Sequence, residues 1–199
     1  TRRSSDLGTA TVIENTVPET AERTAVIRQT GEALLESAEK GREIIDLVTR
    51  RAARERLDLR AVLEDGLADI RERLPEATIE TGPLDSCEVR VRSELRLCVI
   101  ELVENAIKHN EADAPVVRVS TRCSDGDAEL VVEDDAAPIP KIEADVLEGN
   151  HEMSDVYHSS GLGFWLVYWI AELSGGSVAI DGVEGGGNRI TVTLPLAGQ

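Results

Sequence analysis

Aromatic side chains are scarce in this chain of 199 residues. One phenylalanine, two tryptophans and two tyrosines make up 3% of it, and all of them fall between Tyr157 and Trp169. A core anywhere else must therefore be aliphatic. Lysine is as sparse: Lys40, Lys108 and Lys141 are the only ones among 21 basic residues. Against 38 acidic residues the formal net charge is −17. That balance excludes nucleic acid as a partner, because phosphates would be repelled. An acidic, lysine-poor composition points to a high-salt cytoplasm, where abundant cations screen self-repulsion; the alternative is an ordinary acidic bacterial protein. No apolar run approaches membrane-spanning length, and the polar N-terminus shows no signal peptide, so a cytoplasmic location is expected. Cysteine is limited to Cys87, Cys98 and Cys123. There is no Cys-x-x-Cys pair and no histidine at ligand spacing, which excludes a zinc site. The three thiols read as free, small core hydrophobes in a reducing compartment.

Hydrophobic residues make up 41% of the chain, enough for a real core. The sequence fits one large domain, or a smaller one with an appendage. Pro18 followed by Glu19 reads as a helix start. From about residue 20 to 56 there is no proline and only Gly31 and Gly41 interrupt. Ile27, Leu34, Ile45 and Val48 recur there at helical spacing, a stripe that one helix cannot bury alone. A short strand is expected at Leu57–Leu59, then an amphipathic helix that stops before Pro75. Residues 77–81 and 87–92 read as strands on either side of a Gly82-Pro83 turn. Ser93 is placed to cap a helix over 94–110. Residues 116–122 and 128–133 form a hairpin across Asp125-Gly126. A short helix over 142–148 and a longer one over 162–174, ending at Gly175-Gly176, follow. Residues 177–181 and 189–194 make a last hairpin around glycines. The fold class is α+β: a two-layer sandwich of a mostly antiparallel sheet covered by helices on one face, preceded by a long helix.

Two separated segments carry the chemistry. On the 94–110 helix, Glu101 and Asn105 are four residues apart and so share a face, with Lys108 one turn further. A carboxylate, an amide and an ammonium in a row suit Mg²⁺, its water shell and phosphates; a solvated polar helix face accounts for each residue taken singly. Gly161-Leu162-Gly163 opens an apolar helix, where free amides can hold an anion and a missing Cβ lets backbone approach it. This is not a Walker loop, since no Gly-Lys-Ser/Thr follows. Trp165 and Trp169, four apart, fit core or helix-hairpin packing better than a ligand platform.

The order Glu101-x-x-x-Asn105-Ala-x-Lys108, then Asp134, then Gly161-Leu-Gly163, then Gly185-Gly-Gly187 before a strand ending Leu194-Pro195 resembles the ATP-binding domain of sensor histidine kinases. The wider family of that domain includes gyrase B, the HSP90 chaperones and a mismatch-repair ATPase. The likeness spans residues 57–199, and the run from Tyr157 to Ile170 is similar to kinases of halophilic archaea. Residues 1–56 then resemble a helical dimerisation hairpin, with 20–56 its second helix. The resemblance implies a Bergerat-type fold, ATP and Mg²⁺ as cofactors, a homodimer, and a response regulator receiver domain as partner. It implies that Asn105 ligates Mg²⁺, and that Glu101 occupies a position held in relatives by asparagine or by a general-base glutamate. Lys108 would approach phosphate and His109 would border the nucleotide. Asp134 would accept from the adenine amino group beside Ala136, with Ile139 lining the pocket. Residues 140–160 would form a lid, and Gly161, Leu162 and Gly163 would admit the phosphates.

Three features depart from the family pattern. The glycine box expected as Asp-x-Gly-x-Gly reads Asp134-Asp-Ala136-Ala-Pro138, adding a Cβ at 136 and fixing φ at 138. No phenylalanine lies between Pro140 and Tyr157. The only histidines, His109, His151 and His158, sit within the ATP-binding stretch, and alignment of Thr11–Glu14 with the first hairpin helix puts Ser4 or Ser5 near the phosphoacceptor position. Three readings follow: a kinase portion whose acceptor histidine lies elsewhere, a degenerate module acting through dimerisation or protein contacts, or a serine-kinase anti-sigma-like regulator on the same fold, against which the long preceding helix counts.

Overall fold

The computed structural model describes residues 21–50, 52–110, 112, 114–150, 161–183 and 186–198. The expectations for Ser4, Ser5, the Pro18 helix start, the later part of the lid and Gly185 lie outside them. By internal contacts the chain divides into two compact units, with the break after Glu43.

The break lies within the first helix, α1 (Ala21–Thr49). In the first unit, Val26, Ile27 and Leu34 are exposed on this helix. Pairs at i, i+4 support it, with Lys40 Nζ 3.4 Å from Glu36 and Arg28 3.9 Å from Glu32. In the second unit, Ile44 and Leu47 join the core, while Ile45 and Val48 remain exposed. The helix stops before residue 56 because its end is captured. The Arg92 guanidinium donates to Arg50 O at 3.4 Å, and Arg54 Nε donates to Leu173 O at 2.9 Å.

The second unit then runs β1 (Glu55–Asp58), α2 (Leu59–Arg73), β2 (Thr78–Leu84), β3 (Glu88–Val91), α3 (Leu95–Lys108), β4 (Val116–Cys123) and β5 (Asp127–Asp134). It finishes with α4 (Lys141–Leu147), α5 (Gly161–Ser174), β6 (Ser177–Gly182) and β7 (Asn188–Pro195). Asp58 caps α2 by accepting from the backbone amides of Arg60 and Ala61. Ser93 does not cap α3. Glu94 holds that position without a side-chain cap bond, and the Ser93 hydroxyl lies 3.3 Å from its carboxylate.

A five-stranded sheet has the order β2-β4-β5-β7-β6, and helices cover one face. Val117, Val119, Leu130, Val132, Ile190, Val192 and Leu194 point inward against buried Leu95, Val99, Leu102, Leu166 and Ile170. The outward phase of the same strands is polar, with Arg118 paired to Glu80 at 2.7 Å and Arg189 to Glu133 at 2.5 Å. The sheet is mixed, because β2 pairs parallel with β4. Gly82-Pro83 is not a turn between β2 and β3. It lies inside β2, where the register shifts between Thr81 and Leu84, and β3 pairs with β1 in a separate two-stranded sheet. Proline is tolerated because β2 is an edge strand, where one side needs no N–H.

The thiols also differ from expectation. Cys87 and Cys123 form a disulfide with Cα atoms 5.8 Å apart, and only Cys98 is free. Burial, with the Glu101 charge nearby, pushes the Cys98 thiol up to about 12, so it is an inert core residue.

Between the end of α1 and the start of α3 lies a charged cluster. Arg92 is 4% exposed and donates to Glu94 through Nε at 3.2 Å and through a terminal nitrogen at 3.3 Å. Arg50 pairs with the same carboxylate. Burial pushes the Glu94 carboxyl up, but the Arg92 hydrogen bonds, with the Arg92 charge and the Arg50 hydrogen bond, overcome it and hold the group at about 2. A depressed carboxyl contributes stability that is fully present above its ordinary value near 4.5 and is lost as pH falls toward 2. Wild type is therefore expected to exceed Glu94→Gln in urea midpoint at pH 7, with the gap closing between pH 4.5 and 2. A gap that stays constant over that range would show that the carboxylate charge contributes nothing.

Candidate functional site

The ladder between β5 and β7 sets the site. Its last pair is Asp134 opposite Asn188, and there the chain leaves the sheet into a loop that runs to Pro140. A cavity of about 220 Å³ opens beside this loop, lined by Asn105 from α3, His109 just past its end, Asp134 at the end of β5, Ala136 and Ile139 from the loop, and Phe164 from α5, among others. That is far larger than the roughly 30 Å³ a water occupies. Its walls are mostly apolar, with polar groups at a few points.

The side of the cavity toward α5 is made by a close approach of two helices. At Gly163 an added Cβ would lie 2.5 Å from Glu101 Oε2 and 3.3 Å from Asn105 Nδ2. A side chain there would push the Glu101 carboxylate aside, so glycine leaves α5 seated against an undisturbed polar row of α3. Glu101 is 7% exposed. Asn105 Nδ2 is buried with no hydrogen-bond partner among the described residues. An orphaned buried donor costs about 1–3 kcal/mol, and a phosphate or water oxygen would satisfy it. The residues present thus fit a bound nucleotide.

Lys108 does not continue that row. Its ammonium lies 3.3 Å from Glu104 Oε2, and the Glu104 carboxylate, 7% exposed, also pairs with Arg73 of α2. Glutamate four residues before lysine is the favoured orientation on a helix, and it competes with a phosphate-facing pose. His109 follows at the end of α3, donating its backbone N–H to Asn105 O at 3.0 Å. Leu162 is half-buried in the first turn of α5, which begins at Gly161. The tryptophans of α5 stack on each other at 6.5 Å and meet Tyr168 edge-on, as packing residues do.

The altered glycine box carries no backbone strain. No non-glycine residue among those described has positive φ, so Ala136 adopts an ordinary conformation. Its N–H donates to Asp134 Oδ1 at 3.0 Å. The loop is held further by Asn188, which sequence reasoning did not single out. Its Oδ1 accepts from Ile139 N at 2.9 Å, and its Nδ2 donates to Asp134 Oδ1 at 2.8 Å and to Ala137 O at 3.0 Å. A signal was available: Asn188 is polar yet in phase with the inward residues Ile190, Val192 and Leu194.

The sequence matches the family described as histidine kinase-, DNA gyrase B-, and HSP90-like ATPase over residues 90–198. The chain belongs to that family, and it corresponds to the ATP-binding catalytic portion of a sensor-type histidine kinase. It is 30% identical over 142 residues to the sensor-type histidine kinase PrrB of Mycobacterium bovis, an alignment covering 70% of this chain and 31% of that protein. The chain thus spans under a third of that relative's length. A solved structure of the mycobacterial sensor histidine kinase MprB is 27% identical, with a TM-score of 0.60, covering 72% of this chain and 97% of that one. Full-length ShkA, solved in complex with AMPPNP, shares the fold over 96% of this chain and 42% of its own, at 20% identity and a TM-score of 0.66.

Proposed function

We propose that this chain binds Mg-ATP and passes the γ-phosphoryl group to a histidine outside it, as the catalytic portion of a cytoplasmic two-component sensor kinase. The observation that carries the reading is the buried Asn105 Nδ2 beside Gly163, which has no hydrogen-bond partner among the described residues. In this reading Asn105 holds Mg²⁺ through its side-chain oxygen. Mg²⁺ held there would supply neutralisation of the charge that develops on phosphoryl transfer. Glu101 stands next to Asn105 as the candidate general base. Lys108 reaches phosphate by exchanging its Glu104 contact for a ligand oxygen. Asp134 accepts from the adenine amino group, Ala136 and Ile139 enclose the base, His109 borders it, and Gly161, Leu162 and Gly163 admit the phosphates.

Residues 57–199 form the catalytic domain in this proposal, and 1–56 contribute a dimerisation hairpin whose second helix is α1, ending at Thr49 rather than at 56. The exposed Val26, Ile27 and Leu34 on α1 support a homodimer, since an apolar stripe on a long helix needs a partner. A receiver domain is the expected downstream acceptor, and the acidic, lysine-poor composition suits a high-salt interior.

Calorimetric titration with Mg-ATP in molar salt tests the core of this reading. Wild type is expected to bind saturably, and Asn105→Ala to lose binding by 100-fold or more, about 3 kcal/mol or more, as the metal anchor is removed. Folded wild-type protein that takes up no Mg-ATP would overturn the proposal. So would Asn105→Ala binding as tightly as wild type.

A further inference from the structure

We infer that Asn188 is a positioning residue for base recognition: it locks Asp134 so that one carboxylate oxygen alone is presented to the nucleotide base. This rests on the nucleotide-binding reading above. Asp134 Oδ1 accepts three hydrogen bonds, from Ala136 N at 3.0 Å, Asn188 N at 3.2 Å and Asn188 Nδ2 at 2.8 Å. Three donors saturate that oxygen and fix the rotamer. Oδ2 accepts no hydrogen bond among the described residues, while Asp134 lines the cavity. The free acceptor is thereby a single oxygen with a set direction, a geometry that suits one N–H donor on a base.

Asn188 does this without a hydrogen-bonding atom to spare. It is 4% exposed. Both Nδ2 hydrogens are used, on Asp134 and on Ala137 O, and Oδ1 takes Ile139 N. The side chain therefore acts through Asp134 and the 136–139 backbone rather than through the ligand. Its position is dictated by the ladder, since Asn188 is the cross-strand partner of Asp134. An amide is required by chemistry as well as by size. A carboxylate at 188 could still accept from Ile139 N, but it would face Asp134 as a like charge and could not donate.

The consequence is selectivity between purines. A 6-amino purine can donate to Asp134 Oδ2, whereas a 6-oxo purine presents an acceptor to an acceptor, which a buried site rejects strongly. Isothermal titration with Mg-ATP and Mg-ITP reads this directly, on wild type and on Asn188→Asp, with circular dichroism and urea midpoints checking the fold. Wild type is expected to prefer ATP by on the order of 100-fold. Asn188→Asp is expected to lose on the order of tenfold or more in ATP affinity with ITP changed far less, so the preference shrinks.

A residue that merely stabilised the domain would weaken both nucleotides alike and leave the ratio unchanged. A folded Asn188→Asp with the wild-type ratio overturns the inference while leaving nucleotide binding intact. Wild type that binds neither nucleotide overturns the underlying reading instead, and this inference with it. If Asn188→Asp does not fold, Asn188→Ala carries the same comparison. Failure of both to fold assigns Asn188 to global stability and also overturns the inference.

Discussion

Gly187→Ala is expected to abolish detectable nucleotide binding and to lower the unfolding free energy by roughly 2–5 kcal/mol. Gly187 has φ +101°, a left-handed conformation that alanine adopts only with strain. A Cβ there would also overlap the carbonyl oxygen of Asp134. The obstruction is backbone, so no side-chain rotation relieves it. Relief requires β7 to move away from β5 at the very pair that holds the site, Asp134 opposite Asn188. Urea denaturation gives the stability and Mg-ATP calorimetry the affinity. A variant with wild-type midpoint would show that the loop accommodates a Cβ here, contrary to the geometry.

The second large effect concerns the opposite end of the sheet. Breaking the Cys87–Cys123 disulfide is expected to destabilise the protein by about 3–4 kcal/mol on the chain-entropy estimate, given a sequence separation of 36. Cys123→Ser is the better variant for the comparison, because Cys123 is exposed whereas Cys87 is 1% exposed. Nucleotide affinity should be unchanged. Cys123 pairs with Ala128 at one end of the β4–β5 ladder, and Asp134 pairs with Val117 at the other, a span of roughly 20 Å at 3.4 Å per residue. Thermal melts with and without reductant check the first part and titration the second. A reduced protein that melts with the oxidised one would show that the crosslink contributes nothing.

What the sequence disclosed followed local rules. The β4–β5 hairpin was legible because Asp125-Gly126 sits between two alternating runs, and Gly126 has φ +117° as such a turn demands. Helices α3 and α5 announced themselves by period, and α5 by the glycine at 175, φ +81°. The partner of β3 was not legible. Gly82-Pro83 imitates a turn, and nothing local says that β3 reaches back to β1 while β2 pairs with β4 across the intervening α3. The disulfide was hidden for the same reason, since 36 residues of separation carry no pairing information. At the site, Asn105 and Gly163 could be set apart by spacing, and the fold brings them side by side. The spacing from Asn105 to Lys108 suggested one row, yet Glu104 stands at the better helical offset and takes the ammonium. Asn188 was missed because its partners lie about fifty residues upstream along the chain.

The Asp134–Asn188 pair terminates a ladder of eight successive partners between β5 and β7. Side chains alternate across a sheet, so a slip of one residue would turn Asn188 outward and bring Arg189 to the inner face opposite the carboxylate. On the proposed reading, in which Asp134 accepts from the base, the acceptor therefore depends on strand alignment: only the β5–β7 register that sets Asn188 opposite Asp134 holds the carboxylate in place.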